Sequence, residues 1–339
     1  MTKILLLFIF CSTASVRLSA QIAANGSMYV TEENHAKKLV ETVADSGAAA
    51  NNTLVKLDSN VHSSRFSFLE PSHTFNNKRF LGVAASTTVA LASSYIYVQT
   101  AWWKDNSKSF HFDGGADLKY AKNLDKFGHF FGGVIYGDLF AGGMRWAGSS
   151  EKKSKLWGGV FGTSIQAFVE VKDGYSPNWG FSVFDLLSGS AGAFYPYFQT
   201  QSRLLAATDI KLSYYKRDNF YFANQSYKAQ WNDDYMNQTY WFTFNPKRYN
   251  PNWKWPAWLG ISAGFSIDNK LNDLYTGVND YANHGKGHYE WFLAPDIDFK
   301  ALLPKTKGWQ KLAHVLNYVK VPAPTIRLKP SVKGYLFYF

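Results

Sequence analysis

The chain has 339 residues, enough for one large or two modest domains, and its 36 Lys and Arg against 25 Asp and Glu leave a formal charge of +11. Aromatic residues make up 18% of it, more than a soluble core requires, and amphipathic rings favour interfaces, above all the membrane–water interface. Its single cysteine, Cys11, lies in an N-terminal segment read below as removed, which excludes disulfides, cysteine nucleophiles and thiolate metal sites from the rest.

Residues 1–20 have the order of a secretory signal peptide. Met1-Thr2-Lys3 is a positive n-region, Ile4 to Phe10 an unbroken apolar run, and Leu18-Ser19-Ala20 a small-residue cleavage site before Gln21. The apolar run is too short to span a bilayer. Phe10 stands before Cys11 where a lipoprotein signal needs a small residue, so Cys11 reads as part of the removed peptide. An exported chain does not meet nucleic acid, so its basic excess points to an anionic lipid or glycolipid surface. The competing reading is that scattered lysines only keep the protein soluble.

Residues 21–78 are polar and weakly patterned, with a short strand expected at Leu54–Leu57. Residues 79–200 read as a helical domain. Phe80 to Trp103 carries no charge and is long enough to cross a membrane, although its small and hydroxylated residues also suit packing on other helices. Further helices are expected over Lys126 to Trp146, Lys155 to Val171 and Ser182 to Phe198. Their glycines, alanines and serines predict close backbone approach in a tight bundle.

From about residue 203 the hydrophobic period changes to two. Ile210–Tyr214, Tyr240–Phe244, Leu259–Asp268, Trp291–Lys300 and Ile326–Lys333 alternate apolar with polar residues, the signature of antiparallel strands with one greasy face. Lys311 to Val319 reads as one more short helix. Gly334, Phe337 and Phe339 resemble the terminal pattern of outer-membrane barrels, with a bulge needed near Gly334 to keep one apolar face. The expected fold class is therefore α+β: a helical bundle followed by an antiparallel β region over 201–339, membrane-associated, as an outer-membrane barrel or half-barrel, or else a sheet covered on one face by the helices.

The chemistry-bearing residues cluster at helix ends. Asp125 and His129 are four apart and share a helix face; Lys126 lies between them. Glu170 and Asp173 close the third helix ahead of Gly174. Ser182 and Asp185 open the fourth. Carboxylates and an imidazole on facing helices can hold a divalent cation, with His129, Glu170 and Asp173 as ligands, or perform acid–base chemistry. Each also has a structural role at hand: Asp125 as a helix cap, Ser182 and Asp185 as a capping box, the rest as ion pairs.

The run Asp125-Lys126-Phe127-Gly128-His129, then Gln166-x-x-x-Glu170-x-x-Asp173-Gly174, then Gly180-Phe181-Ser182-x-x-Asp185 with Gly189 and Gly192, resembles the YfiM-like family of bacterial envelope proteins. The likeness covers about residues 80–198, and Trp102-Trp103 and Ser109 to Phe112 resemble its longer members. The Asp-Lys-x-x-His start is more distantly similar to VanZ-type membrane proteins. The resemblance implies a periplasmic lipoprotein of unknown function whose family pattern falls on Asp125, Lys126, His129, Glu170, Asp173 and Asp185. This chain departs from short members in lacking a lipobox and in adding the region 201–339.

The function expected is that of an outer-membrane-associated envelope protein with a structural or interaction role, its Asp/His/Glu cluster a buried polar network. Its expected partners are a lipid or glycolipid surface and other envelope proteins. The alternatives are a membrane-surface hydrolase of lipid or glycan and a small-molecule channel or carrier. No organic cofactor is implied, since neither Gly-x-x-x-x-Gly-Lys nor a strand–Gly-x-Gly-x-x-Gly–helix occurs. The sequence leaves the oligomeric state open.

Overall fold

A computed structural model describes residues 70–101, 103, 108–177, 179–215, 234–268 and 288–338. All belong to one compact unit, 64–339. The signal-peptide reading, the polar segment up to residue 69 with its strand at Leu54–Leu57, and Phe339 lie outside the described residues.

Four long helices come first: α1 Asn77–Ala101, α2 Leu124–Trp146, α3 Glu151–Asp173 and α4 Val183–Gln199. The helices α2, α3 and α4 touch backbone to backbone, because glycines face one another across the seams. A Cβ on Gly192 would stand 1.9 Å from Phe130 O, one on Gly133 2.1 Å from Gly189 O, and one on Gly158 2.2 Å from Gly137 O. No larger residue fits such positions without separating the helices. The helix α1 is different. It meets α2 near Gly143, where Val83 fills the space of a side chain, yet Leu81, Val89, Ile96 and Tyr97 are exposed along it. Its most apolar stretch is only 6% buried.

Six strands follow: β1 Thr208–Tyr214, β2 Gln238–Phe244, β3 Leu259–Ile267, β4 Tyr289–Ile297, β5 Ala323–Lys329 and β6 Lys333–Tyr338. They pair antiparallel in chain order. A helix α5, Lys307–Leu316, precedes β5, starting earlier than the expected Lys311. The fold is thus α+β, with an open sheet of six strands among the described residues. The closed barrel expected as one outcome is not formed by these strands; single-chain barrels use at least eight. The sheet does curl: Leu212 of β1 makes a parallel bridge to Val319, and Tyr338 of β6 reaches Thr239 of β2, with 3.1 Å between hydroxyls.

Three strand expectations need correction. The strand expected over Trp291–Lys300 ends at Ile297, and Phe299–Leu302 forms a helical turn. Ile326–Lys333 is not one strand, since the chain turns after Lys329 and returns as β6. The register shift lies where Ala323 and Thr325 face Tyr338 and Tyr335, so Leu336 and Phe337, not Gly334, absorb the extra residue.

The sheet buries the face that carries its charged and hydroxylated residues, together with a cluster of Trp241, Phe292, Ala294 and Tyr338. Lys211, Thr243, Ser262, Glu290, Asp296 and Thr325 are buried, while Phe242, Ile261, Trp291, Leu293, Ile326 and Leu328, on the other face, are exposed. The buried groups satisfy one another. Lys211 Nζ meets Asp296 Oδ2 at 2.6 Å with both side chains fully enclosed, Thr243 Oγ1 donates to the same oxygen at 2.9 Å, and Arg327 pairs with Glu290 at 2.8 Å. Part of the apolar face is covered by α2: Phe127 packs on Phe265, ring centroids 4.8 Å apart, beside a core of Tyr120, Leu124, Met236, Tyr240 and Ile267.

Candidate functional site

The site lies where the starts of α2 and α4 meet the end of α3. Two glycines let an incoming strap reach that place. A Cβ on Gly174 would strike the Phe110 ring and one on Gly180 the backbone of Asp113. The strap is held by His111 N–H to Gly174 O at 2.9 Å and Phe181 N–H to His111 O at 3.0 Å. Asp113 Oδ2 then accepts the N–H groups of Gly115 and Asp117, opening a 3-10 segment, Ala116–Asn123. Within that range the helical geometry breaks at Tyr120, and Ala121, Lys122 and Asn123 have φ of +42°, +52° and +65°, a left-handed run that costs non-glycine residues free energy. It turns the chain into α2 with Asp125 and Lys126 in the first turn.

Lys126 Nζ is the hub of one half of the site. It lies 2.8 Å from Asp125 Oδ2 and 2.8 Å from Asp185 Oδ1, and pairs with Asp117. Asp117 also accepts from Ser182 Oγ at 2.7 Å. Three carboxylates from three segments thus share one ammonium. Asp125 does not cap α2: the N-cap position belongs to Asn123, which makes no side-chain cap bond. Ser182 does cap α4, its Oγ accepting from Asp185 N at 3.2 Å. The reciprocal arm of a capping box is replaced, because Glu170 Oε2 takes the Ser182 N–H at 3.1 Å, leaving the Asp185 carboxylate free to face Lys126 and His129.

The other half gathers around His129. Its Nδ1 is 3.7 Å from Glu170 Oε1 and its Nε2 3.9 Å from Asp185 Oδ2. Gln166 Oε1 lies 3.0 Å from Nδ1, and Gln166 Nε2 donates to the His129 carbonyl at 3.4 Å. Glu170 is 1% exposed and the His129 side chain 21%, so the site has a narrow opening on the imidazole side. One donor atom each from His129, Glu170 and Asp185 fall within 4.8 Å of one another, as do those of Asp117, Asp125 and Asp185.

Burial drives the titration of these groups. It raises the Glu170 carboxyl to about 10, helped by the charges of Asp173 and Asp185, and Asp185 to about 6, against the opposing charge of His129. Asp125 is raised well above the carboxylate range by burial and by Asp185 and Asp117. Asp117 falls to about 2: burial opposes this, but hydrogen bonds from Asp185, Lys126 and Ser182 and the Lys126 charge outweigh it. A site holding carboxyl groups at such different strengths has the raw material for acid–base chemistry.

Of the residues singled out in the sequence, Asp125, Lys126, His129, Glu170, Ser182 and Asp185 converge. Asp173 does not join the metal-spaced groups. Its Oδ1 accepts the indole N–H of Trp103 at 2.6 Å, because Trp103, 2% exposed, is packed beside it. The imidazole of His111 turns to Ser109 O and stays outside. The sequence reading missed Asp117, for which the turn Asp113-Gly114-Gly115 was the available signal, and the orienting role of Gln166. A separate cavity of about 280 Å³, lined by Asp138, Lys155, Tyr195, Lys300, His314 and Tyr318 among others, contains none of the cluster.

Residues 114–201 match a protein family described as "Predicted periplasmic lipoprotein (DUF2279)". The matched span contains every residue of the cluster, from Asp117 to Asp185, and stops before β1. The match supports an exported, envelope-located protein. No curated protein and no solved structure matches the chain.

Proposed function

We propose that this chain is an outer-membrane-associated envelope protein that lies in lipid by its own apolar surface, its helix-end cluster serving as the internal polar centre that fixes the bundle. The observation that carries the reading is the inverted sheet: charged and hydroxylated side chains are enclosed, and Ile261, Trp291, Leu293, Ile326 and Leu328 are exposed. Water would favour the opposite arrangement, whereas a bilayer favours apolar residues outside and polar ones within.

Two further surfaces agree. The exposed helix α1 has the length and composition to enter a bilayer. On α5, Trp309, Leu312 and Val315 form an exposed apolar stripe beside Lys307 and Lys311, the pattern of a helix lying in the lipid interface. The +11 charge favours an anionic lipid surface. The YfiM-like and distant VanZ-type likenesses of the helical part belong to the same reading. A membrane-surface hydrolase is the second reading, favoured by the unpartnered Glu170 Oε1.

The test is flotation of the purified full chain with vesicles of phosphatidylethanolamine and phosphatidylglycerol. The chain should float with them, and the paired substitutions Leu293→Glu and Ile326→Glu should shift it to the unbound fraction without loss of circular dichroism. A chain that stays in free solution, or paired variants that float undiminished, would defeat the reading.

A further inference from the structure

We infer that His129, Glu170 and Asp185 form a binding site for one divalent transition-metal cation of the Zn²⁺ or Mn²⁺ kind. The inference stands apart from the lipid reading, since its residues lie in α2, α3 and α4 and its test measures metal.

The first observation is an orphan. Glu170 Oε1 is buried, belongs to a residue 1% exposed, and has no hydrogen-bond partner. It faces the imidazole of His129 at 3.7 Å. Buried carboxylate oxygens are almost always bonded, and leaving one bare costs free energy. Its sister oxygen, Oε2, accepts the Ser182 N–H, while Oε1 stands against the Nδ1 side of the ring.

The second observation is the tautomer of His129. Gln166 Nε2 donates to the His129 carbonyl, which fixes the amide so that Oε1 faces Nδ1. An amide oxygen only accepts, so Nδ1 presents a hydrogen to Gln166, and Nε2 is the ring nitrogen that faces Asp185 Oδ2, at 3.9 Å. A metal-bound histidine characteristically gives its other N–H to such an acceptor, and Gln166 supplies it.

The third observation is the donor set. One nitrogen and two oxygens suit Zn²⁺ or Mn²⁺ better than Ca²⁺ or Mg²⁺, which take oxygen ligands. The three donors lie within 4.8 Å of one another; bonds of about 2.1 Å would draw them to a spacing of roughly 3.4 Å. Three protein ligands leave a coordination position on the His129 side for water or a substrate oxygen. That is the arrangement of catalytic rather than structural sites.

Isothermal titration of the detergent-solubilised full chain with ZnCl₂, and separately with MnCl₂, tests the inference. One ion should bind per chain, and Glu170→Gln should weaken binding at least tenfold. Asp138→Asn, at a carboxylate in the separate cavity and bonded to Tyr318, should leave it unchanged. Visible spectra of the Co²⁺-loaded protein give a readout that does not depend on stability, and the bands should shift in Gln166→Ala. Absence of stoichiometric binding of either metal to the parent chain, or equal binding by the parent and folded Glu170→Gln, would overturn the site. If Glu170→Gln fails to fold, folded Asp185→Asn takes its place with the same two outcomes.

Discussion

Glu170 Oε2 accepts the backbone N–H of Ser182 at 3.1 Å, so the last turn of α3 completes the N-cap of α4. The helix is capped by two residues twelve apart in sequence, one through a hydroxyl and one through a carboxylate. Ser182→Ala and Glu170→Ala should each destabilise the folded chain by about 1–3 kcal/mol, through a lost cap and an unsatisfied N–H. The double variant should show a coupling energy of about 0.5–3 kcal/mol. Urea unfolding in detergent measures all four corners of the cycle; strictly additive losses would separate the two residues.

The Lys126 hub makes a sharper claim. Removing the ammonium leaves Asp117, Asp125 and Asp185 facing one another with no cation of the chain between them. Lys126→Met should cost about 3–5 kcal/mol, and adding Asp117→Asn to it should recover part of that loss, since the carboxylate held ionised most firmly, with a pKa of about 2, is gone. Thermal melts compare the three proteins. A Lys126→Met chain as stable as the parent would show that the triad holds nothing together.

The convergence of these residues was legible because it follows from simple geometry. Asp125 and His129 share a face at i and i+4, and antiparallel neighbours bring the start of α2, the end of α3 and the start of α4 together. The same reasoning put Asp173 beside Glu170, whose carboxyl its charge does help to raise, but it gave no sign that Trp103, seventy residues upstream, donates to its Oδ1. That contact is tertiary and leaves no local trace. Asp117 was missed because Ala121, Lys122 and Asn123 adopt left-handed conformations that non-glycine residues do not advertise. In the sheet, period two identified the strands but could not say which face turns inward. Only the enclosure of Lys211 and Asp296 settles that, and the turn after Lys329 hid the separate strand β6.

Acid should loosen α5 from the bundle. His314 and Tyr318 both bond the Asp138 carboxylate of α2. Burial raises that carboxyl, but the hydrogen bond and charge of His314, with Tyr318 and Lys300, outweigh it and leave the group lower than its ordinary 3.8. The unfolded chain therefore binds the proton more readily. The stability that Asp138 contributes is complete above the ordinary value and is lost as the pH falls below about 4. Tryptophan fluorescence, through Trp309 on α5, should report a transition in that window that is absent from Asp138→Asn. An identical acid transition in parent and variant would assign it to other carboxylates.

Localisation follows from residues 1–20 and from the exposed apolar surface together. The processed chain should begin near Gln21 and fractionate with the outer membrane. It should resist carbonate extraction, because Leu293, Ile326 and the exposed side of α1 offer lipid an apolar area that salt does not displace. N-terminal sequencing of the fractionated protein checks both halves. Recovery in the cytosol with Met1 intact would sink the claim, and release by carbonate would leave only a peripheral association.

The glycines of the bundle separate close packing from mere composition. On α4, a Cβ at Gly192 would lie 1.9 Å from Phe130 O and 2.7 Å from its carbonyl carbon. Both are main-chain atoms that cannot rotate away, so α2 and α4 must part. Gly192→Ala should therefore cost at least the 1–3 kcal/mol typical of overpacking, about the upper end or beyond. On α2, a Cβ at Gly142 meets nothing within 4 Å, and replacing a helical glycine by alanine gains about 1 kcal/mol where space allows. Gly142→Ala should raise the melting temperature as Gly192→Ala lowers it. The cluster gives a second readout, because Phe130 follows His129 directly. Separation at Gly192 should shift the His129 ring away from Asp185, seen as a changed imidazole resonance in the folded Gly192→Ala protein, whereas Gly142→Ala, more than three turns further along α2, should leave that resonance in place. Equal stability of the two variants would mean that the seams between α2 and α4 are looser than 1.9 Å demands.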